Sequence, residues 1–184
     1  MLTNLPNLLT LSRIGAIPVL IGLLYFHDPV TRWIGLGLFI LAGVTDYFDG
    51  YLARHWNQVS RLGRFLDPIA DKLLVASVIV MLVAIDDVRG LIVIPAIIIL
   101  CREILVSGLR EFLAEIREPL PVSKLAKWKT TIQMLALGFL IVGEEAGPEV
   151  LPMSLLGDTG LWIAAILTLI TGYDYLVRGL KHMN

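Results

Sequence analysis

Apolar stretches long enough to cross a lipid bilayer recur six times along this chain, at about 7–27, 32–55, 65–85, 91–113, 126–143 and 158–178. A spanning helix needs about 20 mostly apolar residues, and a chain spent this way has little length left for anything else. Short polar breaks separate the stretches, among them HDPVT (27–31), IDDVRG (85–90) and GEEAGPE (143–149), with Pro and Gly as ordinary helix punctuation. Composition agrees: 57% of the 184 residues are hydrophobic and 17% charged, against about 45–50% and about 25% in soluble domains. A core of this size cannot hide such an excess, and disordered chains are poor in apolar residues. The expected fold is all-α: a polytopic membrane protein, a bundle of six transmembrane helices. With no internal repeat and no stretch long enough for a second domain, 1–184 reads as one membrane domain.

Other bulk properties narrow the field. A formal net charge of −1 provides no basic field for nucleic acid. The single cysteine, Cys101, cannot form an internal disulfide, matches no zinc spacing, and reads as an inert buried residue. His27, His55 and His182 are scattered without ligand spacing. The start, MLTNLPNLLTLSRIGAIPVL, lacks a basic leader region and an A-x-A site, so no cleaved signal is expected. TNLPNLLTLSR mixes polar and apolar positions and predicts a short interfacial N-terminal segment before the first span. Pro18 is expected to interrupt or kink that span. Segment 111–129, the most polar part of the chain, reads as the connection between the fourth and fifth spans.

Basic residues set the orientation. With the N-terminus inside, the outer loops hold only Arg32 and Arg89, while Arg13, Arg54, Arg61, Arg64, Lys72, Arg102, Arg110, Arg117, Lys124, Lys127, Lys129, Arg178 and Lys181 lie toward the inner ends. That is the cytoplasmic excess of the positive-inside rule. Trp33, Trp56, Trp128 and Trp162 fall near span ends and read as interfacial anchors.

Polar residues in a span are costly and face the bundle interior or water. Here they concentrate in VTDYFDGYLARHWNQVSRLGRFLDPIADK, residues 44–72. Asp46, Asp49, Gly50 and Ala53 follow at i, i+3, i+4 and i+7 and share one helical face, with Arg54 at its edge. Across a short turn, Gly63, Asp67 and Asp71 follow at i, i+4 and i+8. The two spans are therefore antiparallel neighbours, and four carboxylates converge at the cytoplasmic rim. Four uncompensated aspartates that close repel one another. Two hard divalent cations, Mg2+ or Mn2+, remove the conflict and form a clamp suited to phosphoryl displacement. Gly50, Ala53 and Gly63 leave room for a bulky polar ligand such as a nucleotide. Each part has a plainer reading alone: Gly50-x-x-Ala53 as a helix-packing contact, Asp67-Pro68 as a helix N-cap, and Arg54, Arg61 and Arg64 as headgroup anchors. None of these explains the ordered whole.

The string Asp46-x2-Asp49-Gly50-x2-Ala53-Arg54-x8-Gly63-x3-Asp67-x3-Asp71 resembles the signature of the CDP-alcohol phosphotransferases at every position. The resemblance implies six transmembrane helices, usually in a homodimer, and two divalent metals on Asp46, Asp49, Asp67 and Asp71. It also implies transfer of a phosphoalcohol group with release of CMP. In the family pattern, Asp71 accepts the proton of the attacking hydroxyl, and Asp49, Gly50, Ala53, Arg54 and Gly63 border the CDP moiety. Thr10 and Arg13 are expected near the same rim. NLPNLLTLSR, REILVSGLREFLAE and KLAKWKTTIQM are similar to the branch that uses CDP-diacylglycerol and glycerol-3-phosphate, in the bacterial cytoplasmic membrane with the site facing the cytoplasm.

An anionic acceptor needs cations. Arg102 and Arg110, at i and i+8 on the fourth span, and Lys127 and Lys129 at the start of the fifth, are the candidates, Arg110 and Lys127 foremost. Their plainer reading is membrane anchoring or pairing with Glu103 and Glu111. Two other functions stay open: the same reaction with inositol phosphate, serine or phosphatidylglycerol as acceptor, and a small ion-coupled transporter, which would place its acids near mid-bilayer on broken helices.

Overall fold

The computed structural model describes residues 5–55, 61–116 and 123–181. Among them every regular element is helical: α1 (Leu5–Tyr25), α2 (Pro29–His55), α3 (Arg61–Ala84), a short 3-10 turn (Gly90–Ile92), α4 (Val93–Glu115), α5 (Lys124–Ala146) and α6 (Met153–Lys181). Among the described residues four segments are long and apolar enough to cross a membrane: Asn7–Tyr25, Gly90–Ala114, Lys124–Ala146 and Met153–Gly179. Among the described side chains of α2 the apolar stretch is Pro29–Thr45. The charged motif occupies the rest of α2 and the first half of α3.

Helix starts follow local chemistry. Asp28 Oδ2 accepts from the backbone N–H groups of Val30 (3.0 Å) and Thr31 (3.2 Å), and Pro29 needs no partner at the first helical position. This N-cap starts α2 three residues before the apolar run does. Ser123 caps α5 in the same way, accepting from the Ala126 N–H at 3.1 Å. The 111–129 connection is correspondingly shorter than the sequence implies, because α4 persists to Glu115 and α5 begins at Lys124.

The separate interfacial segment expected at the N-terminus is corrected: residues 5–13 are the first turns of α1. Asn7, Thr10, Arg13, Ile17, Leu20 and Leu24 are all buried at three- and four-residue spacing, so one stripe runs on without a change of phase. Pro18 lies within the continuous helix, on its exposed side, and does not end it.

The chain divides into two compact units, residues 1–87 with 141–152, and 88–140 with 153–184. In the first, α1 packs against both α2 and α3, burying Leu20, Leu24, Phe39, Leu74, Val78 and Leu82. Arg32, counted in the sequence as a loop cation, is instead buried at the start of α2. Its Nη1 donates to Asp87 Oδ2 at 2.6 Å and to the Ile141 carbonyl at 3.4 Å. Gly143 breaks α5 with φ 65° and ψ −179°, a region open essentially to glycine alone. A Cβ there would lie 2.7 Å from Arg32 Nη1, so the glycine also makes room for the guanidinium.

In the second unit α4 packs along α6. Ile99, Val106 and Leu113, seven residues apart, form the buried stripe of α4. Cys101 lies off that stripe and is exposed, correcting its expected burial. α6 begins at Met153 rather than near 158, and small residues in its first turns are contact points. A Cβ on Gly157 would come 2.5 Å from Leu140 Cγ, and one on Gly160 2.7 Å from Ala136 Cβ. The longer helix places Trp162 well inside α6, away from the span end that an interfacial anchor would occupy.

Candidate active site

The motif's backbone is helical on both of its elements. Residues 46–55 form the last turns of α2, so Asp46, Asp49, Gly50 and Ala53 share one helical face by position. The side chains of 46–55, Arg54 included, and of Arg61 and Arg64 lie outside the described residues, as does all of Trp56. On α3, Asp67 and Asp71 are one turn apart on the same side; Asp71 is exposed and Asp67 half-buried. Gly63, one turn earlier, is buried. α3 begins at Arg61, so Asp67-Pro68 sits inside the helix and is not its N-cap. The N-cap reading of that dipeptide is thereby removed.

α1 brings the remaining polar groups. Thr10, 1% exposed, donates through Oγ1 to Asp67 Oδ1 at 2.7 Å. The sequence places Thr10 near the rim; the structure gives it a specific partner, a motif carboxylate. Asn7 and Arg13, one turn to either side, are also buried. The three-residue spacing of Asn7 from Thr10 is the one sequence signal for its burial. Lys72 bends back to donate from Nζ to the Pro68 carbonyl at 2.8 Å, next to Asp71 in sequence.

Among the described side chains no trio of His, Cys, Asp and Glu gathers as a metal cluster. Asp46 and Asp49, which the sequence reading groups with Asp67 and Asp71, have side chains outside the described residues. The donor chemistry fits hard divalent cations: carboxylate oxygens, one of them exposed and one oriented by a hydroxyl, beside a buried glycine.

In the second unit the four cations fall into two classes. Arg110 and Lys127 are exposed. Arg102, near the middle of α4 rather than near its end, and Lys129 are engaged. Lys129 is 1% exposed and its Nζ donates to Glu103 Oε1. Arg102 Nη1 is 3.5 Å from the same oxygen, and its Nη2 donates to Thr171 Oγ1 at 3.1 Å. The guanidinium also lies 5.8 Å from the centroid of the Tyr175 ring. Gly172 lets the Arg102 stem lie against α6, since a Cβ would come 3.2 Å from Arg102 Cγ. Thr171, Gly172 and Tyr175 carried no sequence signal, because only packing against α4 gives them a polar partner.

The family model described as CDP-alcohol phosphatidyltransferase matches residues 3–170. A Rickettsia bellii protein named CDP-diacylglycerol–glycerol-3-phosphate 3-phosphatidyltransferase is 54% identical, covering 94% of this chain and 93% of its own length. Proteins of the same name from Haemophilus influenzae and Cereibacter sphaeroides are 43% and 41% identical, covering 94% and 98% of this chain and 91% and 97% of their own.

Proposed function

The chain belongs to the CDP-alcohol phosphatidyltransferase family, and from that premise we propose that it transfers the phosphatidyl group of CDP-diacylglycerol to glycerol-3-phosphate, giving phosphatidylglycerophosphate and CMP. The observation that carries this reading is identity of 41–54% across more than nine-tenths of the chain with proteins named for that reaction. In this reading the six helices all span the bacterial cytoplasmic membrane, with the motif facing the cytoplasm. The whole chain, 1–184, works as one catalytic domain in a homodimer.

Asp46, Asp49, Asp67 and Asp71 hold two divalent ions, Mg2+ or Mn2+. The chemistry those ions supply when bound is neutralisation of negative charge on the pyrophosphate. Asp71, exposed at the end of the motif, accepts the proton of the attacking hydroxyl. The acceptor oxygen bonds to the lipid-side phosphorus as the bond from that phosphorus to the bridging oxygen breaks, and the electron pair leaves with CMP. Thr10 fixes the rotamer of Asp67 through its hydrogen bond and borders the nucleotide with Asp49, Gly50, Ala53, Arg54 and Gly63. Arg110 and Lys127, both exposed, take the acceptor's phosphate first, with Arg102 and Lys129 behind them.

The test is CMP release by the purified, detergent-solubilised chain given CDP-diacylglycerol and Mg2+. Release is expected with glycerol-3-phosphate and not with inositol phosphate, serine, phosphatidylglycerol or water. It should stop on chelation and return with Mg2+. Release with another acceptor overturns the acceptor while keeping the carboxylate site. No release with any acceptor from folded protein overturns the transferase reading and restores the ion-coupled transporter.

A further inference from the structure

Of the ionised groups in the second unit, Glu103 occupies the unusual position. A single carboxylate oxygen receives both Lys129 Nζ and Arg102 Nη1, two of the four cations that the proposed function gives to the acceptor's phosphate. Both cations are set in place from other directions. Lys129 is buried on α5, while Arg102 is fixed by Thr171, Tyr175 and the gap at Gly172. The surroundings hold unused hydrogen-bonding capacity. Gln133 Oε1, one turn beyond Lys129, Thr168 Oγ1, one turn before Thr171, and Arg102 Nε are all buried without a hydrogen-bond partner. Unsatisfied buried polar groups are rare and costly. Arg102 Nε, on the paired guanidinium itself, is a donor that the protein leaves unused.

We propose that Glu103 is a specificity-determining residue of the acceptor step: its carboxylate is an internal counter-anion on Lys129 and Arg102 that the acceptor's phosphate must displace. The inference rests on the proposed acceptor reading and deepens it. An anion already seated between two cations lowers apparent affinity by the fraction of molecules in which the seat is vacant. A phosphate monoester carries close to two negative charges at pH 7, so it outcompetes one carboxylate. A neutral or zwitterionic alcohol offers nothing in exchange for the lost ion pairs. Glu103 thereby selects phosphorylated acceptors by being an obstacle to all others.

The experiment compares wild type with Glu103→Gln, measuring KM for glycerol-3-phosphate and for CDP-diacylglycerol separately, together with direct calorimetric binding of inorganic phosphate. The expected result is a fall of about five- to tenfold in the KM for glycerol-3-phosphate, of the size of a typical linked-site coupling. Phosphate binding should tighten in parallel and the CDP-diacylglycerol KM should stay unchanged. Glu103→Asp, which keeps the charge, should remain close to wild type. An unchanged or raised glycerol-3-phosphate KM in folded Glu103→Gln overturns the inference and leaves Glu103 a purely structural partner. Should Glu103→Gln fail to fold because Lys129 is stranded, the double variant Glu103→Gln/Lys129→Gln removes both charges together. Compared with Lys129→Gln alone, its KM for glycerol-3-phosphate should be lower, since Glu103 no longer occupies Arg102, and an equal or higher value overturns the inference. Phosphate binding is read without lipid, so failure here is distinct from failure of the transferase reading, which shows as absent CMP release in wild type.

Discussion

In α1 the buried stripe is polar as far as Arg13 and apolar from Ile17 onward, so the first unit keeps its hydrogen-bonding groups at one end. One of them, Thr10, serves an α3 carboxylate through its bond to Asp67, while Asp71 remains exposed. The second unit does the reverse. Arg102, Gln133, Thr168 and Thr171 lie well inside their helices, and the two cations Arg102 and Lys129 close on Glu103. An acid-bearing surface kept open is arranged for something brought to it. A cation cluster closed on its own carboxylate must be opened before it can bind. Arg32 and Asp87 mark a third condition within the first unit, an ion pair buried on its arginine side with no part in the proposed chemistry.

That comparison is most directly broken by Asp71→Asn. If the open carboxylates are the chemical site, CMP release falls about 10²- to 10⁴-fold, the usual worth of a positioned base. Thermal unfolding in detergent should scarcely move, because the side chain is exposed. A comparable loss of folding stability would mean that Asp71 supports structure.

Asp87→Asn should behave in the opposite way. It strands Arg32, whose side chain is 2% exposed, and removing one partner of a buried pair costs about 3–5 kcal/mol. The lower figure is expected because Asp87 itself is 23% exposed. The unfolding midpoint drops while turnover of surviving protein at low temperature stays near wild type. A selective loss of turnover would tie this ion pair to the reaction.

Smaller again is Gly160→Ala in the second unit. The added methyl meets Ala136 Cβ at 2.7 Å, an overpacking that costs about 1–3 kcal/mol. Gly15→Ala in the first unit, with nothing within 4 Å of the new carbon, is the neutral control. Thr10→Val should have the mildest effect. It keeps shape and loses the bond to Asp67, raising the Mg2+ concentration for half-maximal activity about tenfold, as loss of a group that orients a metal ligand does. Mn2+ binding followed by electron paramagnetic resonance should weaken in parallel, and Thr10→Ser should restore both.

The sequence contains the same dipeptide twice, Asp28-Pro29 and Asp67-Pro68, and the pair shows where reading a chain by its letters stops. The first is a helix N-cap; the second lies inside α3. Local chemistry permits either, and what decides is whether helical contacts continue on the N-terminal side, as they do from Arg61 through the buried Gly63. The same limit applies to Cys101, placed outside by the packing stripe of α4, and to Arg32, a loop cation by sequence and a buried ion pair in the fold.

Periodicity and hydrophobic length fixed the number and approximate extent of the helices, because 3.6-residue spacing and burial of apolar area are properties of a single segment. The chemical class was equally local, since two helical runs of aspartate and small residues write the motif into one stretch of 26 residues, 46–71. Partnership was decided only by tertiary packing. That Thr10 holds Asp67, that Gly143 yields to Arg32, and that Glu103 meets Lys129 are contacts between residues far apart in the chain. Such pairs depend on which helix faces which, and no spacing within a segment encodes that.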